Sequence, residues 1–312
     1  MDYLEQFNNR LEQVMMSDVP IYKDIVRHIL EKRGKQLRPK VALLCAGLGG
    51  ELNERSYRAA TIVEMLHTAS LVHDDIVDDS MERRGRASVN AMFGNRKALL
   101  GGDIISIKAL LLTLTNKDYD IFRIYVNAVD EIVQGELLQL RKTRKLNLDE
   151  QIYFKIIKAK TASFFSAACH SGAITTFTDP KKIESLRLFG EKVGIAFQIR
   201  DDLFGFNHSD VGKPNDNDIK EKKITLPLIY TLNNCPAKQR RKLIRIIKKE
   251  SDNPEKINYL FSIVHQSGGI DYTREKMLNY CNDAKEILSN FNESGTRTEL
   301  EKIVDFTAER KF

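Results

Sequence analysis

EMLHTASLVHDDIVDDSMERRG, residues 64–85, is the stretch that decides how the rest of this 312-residue chain is read. In a helix Asp74 and Asp78 stand at i and i+4, so their carboxylates share one face, with Asp75 beside them. Like charges at that spacing repel, and aspartate is a poor mid-helix residue. The residues just before them, Met65, Leu66 and Ala69 to Val72, are largely apolar and place the helix in an interior. A buried run of carboxylates is tolerable only where cations neutralise it. All-oxygen ligands with open positions suit Mg²⁺, whose remaining positions go to water and substrate phosphate. The bland alternative is a solvated acidic helix end.

A second acidic pair answers the first. In QIRDDLFGF (198–206), Asp201 and Asp202 follow the apolar helical run Val193, Ala196, Phe197 and precede the polar stretch NHSDVGKPNDND (207–218). Two such clusters about 127 residues apart in a helical protein can hold one diphosphate between them through bridging metals. Cations gather around them in sequence: RGKQLRP (Lys35, Arg38), RRG (Arg83, Arg84), AKTA (Lys160, Thr161), GKP (Lys213) and EKKITLP (Lys223). Arginine offers a planar bidentate fork to phosphate and lysine a compact point charge. Beside them lie segments apolar on more than one face: VALLCAGLGG (41–50), ALLGGDIISIKALLLTL (98–114) and TASFFSAACHSGAI (161–174). Acids, bases and strongly apolar helices together call for a substrate with a diphosphate head and a hydrocarbon tail.

Away from these motifs the chain repeats a three-and-four spacing. Tyr3, Phe7, Leu11 and Val14 show it, as do Ile21, Ile25 and Ile29, then Ile152, Ile156 and Ile157, then Leu243, Ile246 and Ile247. No Asn-Gly or Asp-Gly hairpin signal occurs, and none of the 7 prolines falls between Pro39 and Pro180. The expected fold is all-α: one helical bundle domain spanning residues 1–312 around a deep apolar cavity, as helices apolar all round require. With 42% hydrophobic and 29% charged residues the chain is not a disordered one. Its net charge of +6 is mild, and without an aromatic-studded basic motif it predicts no nucleic-acid partner. Cys45, Cys169, Cys235 and Cys281 are scattered with no zinc spacing. MDYLEQFNNRLEQ lacks a signal-peptide pattern, and Ala98 to Leu114, carrying Asp103 and Lys108, reads as too short to span a bilayer. A cytoplasmic protein without a transmembrane segment is expected. KQRRKLIRIIKKE (238–250) has a basic and an apolar face, which suggests a weak membrane-surface contact.

In its motifs the chain resembles the trans-isoprenyl diphosphate synthases (the polyprenyl synthetase family), of medium- and long-chain type. Residues 64–85 resemble that family's first aspartate-rich motif, QIRDDLFGF its second and RGKQLRP its GGKRxRP segment. GKPNDNDIKEKKITLPLIY (212–230) resembles its GKPxGxDxxEGKxTLP stretch. The order and spacing agree over roughly residues 30 to 230. The resemblance implies the isoprenoid synthase fold and a prenyltransferase that joins isopentenyl diphosphate head-to-tail to an allylic diphosphate. Carried over by position, Lys35, Arg38, His67 and Arg84 hold the isopentenyl diphosphate. Arg83, Lys160, Thr161, Gln198, Lys213 and Lys223 hold the allylic one. Two or three Mg²⁺ ions per active site sit on Asp74 and Asp78 on one side and Asp201 on the other, with Asp75 and Asp202 among the metal-binding acids. Asp74, Asp78, Asp201, Lys160 and Lys213 are the expected catalytic set, and homodimerisation is the family's habit. A shorter-chain synthase, or the non-catalytic subunit of a heteromeric synthase, is the alternative. Gly205, Asp216 and Lys222 depart from the family pattern, where an aspartate and two glycines are usual.

The implied chemistry is ionisation of the allylic diphosphate, attack by the isopentenyl double bond and loss of a proton to the departing diphosphate, with charge stabilised as it develops. Product length then depends on what closes the apolar cavity. One helical turn before Asp74 stand Ala69 and Ser70, both small, where members that stop at fifteen or twenty carbons usually carry a bulky residue. A product of thirty carbons or more is expected, with Leu66, Ile62 or the Ala109–Leu112 stretch as a deeper floor.

Overall fold

The computed structural model describes residues 2–143, 149–206 and 225–309. Fifteen α-helices are found among them: α1 (Tyr3–Met15), α2 (Pro20–Glu31), α3 (Leu37–Gly49), α4 (Glu54–Val77), α5 (Val89–Phe93), α6 (Asn95–Thr115), α7 (Tyr119–Thr143), α8 (Glu150–Ile157), α9 (Ser163–Ala173), α10 (Pro180–Phe204), α11 (Leu226–Asn234), α12 (Ala237–Lys249), α13 (Pro254–Gln266), α14 (Gly269–Ser289) and α15 (Gly295–Glu309). A five-residue π-helical turn, Lys158–Ala162, joins α8 to α9. The all-α expectation is met with one exception. Two-residue strands β1 (Glu82–Arg83) and β2 (Arg86–Ala87) pair antiparallel, Glu82 opposite Ala87 and Arg83 opposite Arg86. The turn between them is Arg84-Gly85, at φ 55 and 71. Two successive positive φ values are what a tight hairpin matched to strand twist requires. Arg-Gly carries that turn here, which is why an Asn-Gly or Asp-Gly signal misses it.

The chain packs as two compact units, neither continuous in sequence. One holds residues up to Asn127 with Phe164–Arg187 and Glu293–Arg297; the other holds Ala128–Ser163, Leu188–Asn292 and the residues from Thr298 on.

The first unit is built around α4. Asn53 caps it, accepting from the Ser56 amide at 3.0 Å, while the Ser56 hydroxyl is reached by the Asn53 amide at 3.4 Å. This reciprocal pair satisfies two of the donors that every helix start leaves open. Ala59, Ala60, Ile62, Val63 and Met65 are all 0% exposed, so α4 is buried on every face along this stretch, as an apolar-all-round helix must be. At 24 residues it is roughly 36 Å long. α3 and α6 pack along it. The Tyr125 hydroxyl donates to the Ala59 carbonyl at 2.9 Å and lies 2.6 Å from the Ser171 hydroxyl, tying α7 and α9 to the same helix. α9 approaches α3 so closely that a Cβ on Gly172 would lie 2.0 Å from the Ala42 carbonyl oxygen, a place only glycine can occupy.

The apolar stretch 98–114 lies inside α6, which runs from Asn95 to Thr115. At 21 residues it is long and apolar enough to cross a membrane, so the expectation that this segment is too short does not hold. About a third (33%) of its most apolar window is buried. Leu100, Ile107, Leu111 and Leu114 stay exposed along one side.

The second unit takes its core from α10, α11, α13 and α14, where Phe189, Ile199, Leu226, Leu260 and Leu288 are 0% exposed. α11 and α14 are locked together by the Tyr230–Tyr272 stack, ring centroids 4.4 Å apart, and the Tyr272 hydroxyl donates to Glu150 of α8 at 2.7 Å.

Candidate active site

Both aspartate clusters occupy the last turn of a helix. Asp74 and Asp75 end α4 and Asp78 is its C-cap; Asp201 and Asp202 lie just before the end of α10. The C-terminus of a helix carries partial negative charge from unpaired carbonyls. Carboxylates there are opposed by their neighbours and by the helix itself, so only positive charge makes the placement favourable.

In the first unit that charge begins with Arg83. The hairpin folds back on the end of α4: the Ser88 amide donates to the Met81 carbonyl at 3.1 Å, the Ser88 hydroxyl to the Ser80 carbonyl at 2.7 Å, and the Asn90 side chain to the Asp75 and Ser80 carbonyls at 3.3 and 3.1 Å. This aims the Arg83 guanidinium at Asp75. Its Nε lies 2.8 Å from both carboxylate oxygens and its Nη2 2.6 Å from Oδ1. Asp75 is 2% exposed. Of the acids in this motif, then, Asp75 is spent on an internal ion pair, Asp74 is half-buried and Asp78 is exposed at the helix end.

The remaining cations cluster around His67, two turns back along α4. Arg38 Nη1 donates to His67 Nε2 at 3.0 Å; an arginine can only donate, so that nitrogen is the unprotonated one. Burial, with the charges of Arg38, Arg84 and Arg83, holds the His67 imidazole well below its usual range. His67 packs edge-on against Phe164, centroids 6.3 Å apart, and the Arg38 guanidinium lies 4.6 Å over the Phe165 ring. Arg84, at the hairpin tip, donates to the Lys32 carbonyl at 3.3 Å. Gly34 lets it lie there, since a Cβ on Gly34 would be 2.5 Å from the Arg84 Nη2. Lys35 is exposed beside Gln36, which starts α3 in a left-handed conformation (φ 50). The structure thus brings Arg38, His67 and Arg84 together. It adds Glu64, one turn before His67, which sequence reasoning missed. Glu64 is 9% exposed; burial raises its carboxyl while Arg38, Arg84 and Arg33 pull it down. The signal that could have found it is a glutamate at i−3 from a histidine in an otherwise apolar run. A cavity on this side of α4 is lined by His28, Lys32, Thr68, Asp75, Arg83 and Arg84.

Ala69 is 1% exposed and Leu66 3%, with Ser70 half-buried. His73 turns to α6, its Nε2 3.3 Å from the Leu99 carbonyl and from Asp103 Oδ1, over Gly102.

In the second unit a single polar chain connects three of the expected residues, Thr161, Gln198 and Asp202. Thr161, in the π turn, donates its hydroxyl to Gln198 Oε1 at 2.7 Å, and Gln198 Nε2 reaches Asp202 Oδ1 at 3.4 Å. Tyr153 donates to Asp202 Oδ2 at 2.8 Å, and the Leu226 amide to the same oxygen at 2.9 Å. Asp202, 6% exposed, therefore fastens α8 and the first turn of α11 to α10. Asp202 also raises the Tyr153 phenol, second to burial, well above its usual value. Tyr153 is the second residue sequence reasoning missed. Asp201 beside it is half-buried. Lys160 sits in the π turn, a widened helical turn of the kind often found at functional sites, and pairs with Glu136 of α7. Gly135 allows that approach, because a Cβ there would lie 2.9 Å from the Ala159 Cβ and 3.3 Å from the Lys160 nitrogen. Gly205 is half-buried in the turn that ends α10. Lys213, Lys223, Asp216 and Lys222 lie outside the described residues.

Among the described residues no group of three or more His, Cys, Asp or Glu side chains could hold a metal ion by itself. The predicted donors Asp74, Asp78 and Asp201 are all carboxylates, and few. That fits Mg²⁺, which completes its shell with water and substrate phosphate, rather than a metal caged by protein.

The polyprenyl synthetase family profile matches residues 19–264. The chain is 34% identical to an all-trans-nonaprenyl-diphosphate synthase (geranyl-diphosphate specific) of Rhodobacter capsulatus, over 98% of this chain and 94% of that protein. It is 32% identical to a short chain isoprenyl diphosphate synthase of Methanothermobacter thermautotrophicus, over 99% of this chain and 97% of the other. A solved polyprenyl synthase of Caulobacter crescentus CB15, complexed with calcium and isoprenyl diphosphate, superposes with a TM-score of 0.90 at 32% identity, covering 98% of this chain and 94% of that one. The chain belongs to the polyprenyl synthetase family and is a prenyltransferase with the all-α isoprenoid synthase fold.

Proposed function

We propose that the protein is a Mg²⁺-dependent trans-polyprenyl diphosphate synthase of the cytoplasm whose product has thirty carbons or more, for example octaprenyl diphosphate. The observation that carries the length is the pair Ala69 and Ser70, small side chains one turn before Asp74. Relatives of similar identity are named for short and for long products, so overall likeness does not choose between them.

Arg38, His67, Arg84 and Lys35 bind the isopentenyl diphosphate in this reading, with Glu64 holding the cations in place. Arg38 points at a nitrogen of His67, so the imidazole has its other N–H to offer a phosphate oxygen. Asp74, Asp78 and Asp201 would hold two or three Mg²⁺ ions, which would supply charge neutralisation as the allylic diphosphate leaves. Asp75 and Asp202 serve as anchors: the first fixes Arg83, the second fixes Gln198, Thr161 and the start of α11. Lys160, Arg83, Lys213 and Lys223 stabilise the diphosphate as it departs. The apolar helices exclude water from the allylic cation, which is quenched only by the isopentenyl double bond. The proton then goes to the released diphosphate.

The protein acts as a homodimer in this reading. Supporting it, Leu100, Ile107, Leu111 and Leu114 of α6 and Val126, Val133, Leu137 and Leu140 of α7 are exposed with the same seven, four, three spacing, one apolar stripe on each helix. Light scattering of the wild type and of a Leu111→Glu, Leu137→Glu variant reports it: a dimer that becomes a monomer agrees, a wild-type monomer does not.

The function is tested by incubation with labelled isopentenyl diphosphate, farnesyl diphosphate and Mg²⁺, and chromatography of the dephosphorylated products. Products of thirty carbons or more that vanish with chelator are expected. A single product of twenty carbons refutes the length, and full activity in chelator refutes the metal.

A further inference from the structure

The basic and apolar faces of KQRRKLIRIIKKE along α12 suggest a membrane-surface contact, which an apolar face could make only if it were exposed. The structure removes that option, because Leu243, Ile246 and Ile247 are 0–1% exposed and pack into the second unit. What α12 leaves outside is charge. Lys238, Arg240, Arg241, Lys242, Arg245, Lys248 and Lys249 are all exposed, and the helix contains no acidic residue. At about 100° per residue, six of these seven fall within an arc of about 120° centred opposite the buried stripe. Arg240 alone lies to one side. Arg245 pairs with Glu250 just beyond the helix end, at 2.8 Å, and Lys242 covers the Tyr259 ring at 3.7 Å.

We propose that this face of α12 is a docking surface for an anionic phospholipid bilayer, held by charge without insertion. Like charges this dense repel one another and are relieved by a polyanion lying flat along roughly 20 Å of helix. A bilayer with anionic headgroups presents phosphates in such a plane, and each cation near it adds to the attraction over about a Debye length. A single-stranded nucleic acid would be favoured by aromatic rings to stack its bases, and α12 has none. The choice of lipid rests on the long-chain reading. A prenyl chain of thirty carbons or more partitions into hydrocarbon, so an enzyme resting on the headgroups releases its product where the chain is soluble.

The test is co-sedimentation of the full-length protein, without substrates, with vesicles of phosphatidylcholine alone or with one-third phosphatidylglycerol. Binding to the anionic vesicles only, reversed by high salt, is expected. The variant Arg241→Gln, Lys248→Gln, Lys249→Gln should bind about 100-fold more weakly, near 5-fold per charge, with unchanged helicity and unchanged turnover of soluble short primers. Equal binding to neutral vesicles, binding by the variant within twofold of wild type, or displacement from the vesicles by stoichiometric RNA homopolymer overturns the proposal. Product chromatography is a separate readout. A protein that binds anionic vesicles through α12 yet stops at twenty carbons keeps the surface and loses the long-chain reading.

Discussion

Replacing Gly34 by alanine should weaken isopentenyl diphosphate binding while leaving the allylic diphosphate and the fold almost untouched. The added Cβ would stand 2.5, 2.6 and 2.8 Å from the Nη2, Cζ and Nη1 atoms of Arg84. Ordinary contact needs about 1 Å more than that, so one side must retreat. The Arg84 main chain is fixed by its place in the hairpin turn, at φ 55, and by the strands on either side. The guanidinium is the far end of a flexible, exposed side chain, and it is what moves. Moving it loses the 3.3 Å bond to the Lys32 carbonyl and displaces the charge that the proposed function assigns to isopentenyl diphosphate binding. A charge-assisted hydrogen bond contributes about 1.5–3 kcal/mol, and displacement by ~1 Å should forfeit the lower part of that range. The KM for isopentenyl diphosphate should therefore rise roughly tenfold, with kcat and the allylic KM changed less than about twofold. Gly34 has no positive φ to lose, and alanine restricts the unfolded chain, so Tm should hold or rise slightly. Steady-state kinetics with each substrate varied in turn, together with a thermal melt, decide it. An unchanged isopentenyl KM, or an allylic KM raised as much, would refute the reasoning, because the clash would then not act through Arg84.

Three further outcomes follow from the geometry. Ala69→Phe should shorten the main product to fifteen or twenty carbons by chromatography, and an unchanged product length would place the floor elsewhere. Tyr153→Phe removes a buried donor from Asp202, and should cost about 1–3 kcal/mol of stability and lower Tm by several degrees by calorimetry; an unchanged Tm would show that the Leu226 amide and Gln198 hold the carboxylate without it. His67 titrates lower in the folded protein than in the unfolded chain, so as pH falls below about 6.5 the unfolded state takes up the extra proton and the folded state loses stability. Between pH 7 and pH 5 the Tm of His67→Asn should fall less than that of the wild type, and parallel curves would show that His67 does not titrate in that window.

The sequence alone carried the helical fold, because the three-and-four spacing of apolar residues is a local property that a 3.6-residue turn converts directly into a buried face. It also carried the expectation that Asp74 and Asp78 act together, since the two share a face by spacing and like charges there call for cations. It did not carry the Arg84-Gly85 hairpin, whose turn residues lack the usual signature, nor the start of α6 at Asn95. Which carboxylates are used up inside the protein was settled only by tertiary structure. Asp75 and Asp74 are neighbours in a helix, and about 100° of rotation sends one to Arg83 and leaves the other half-buried at the end of α4. Asp202 is taken by Tyr153, 49 residues away, and by the Leu226 amide, 24 residues away. Glu64 near Arg38, Glu136 on Lys160 and Gly34 under Arg84 belong to the same class. A hydrophobic pattern fixes which face of an element turns inward; the partner a polar group finds there depends on which other elements arrive, and that is decided by the packing of the whole core.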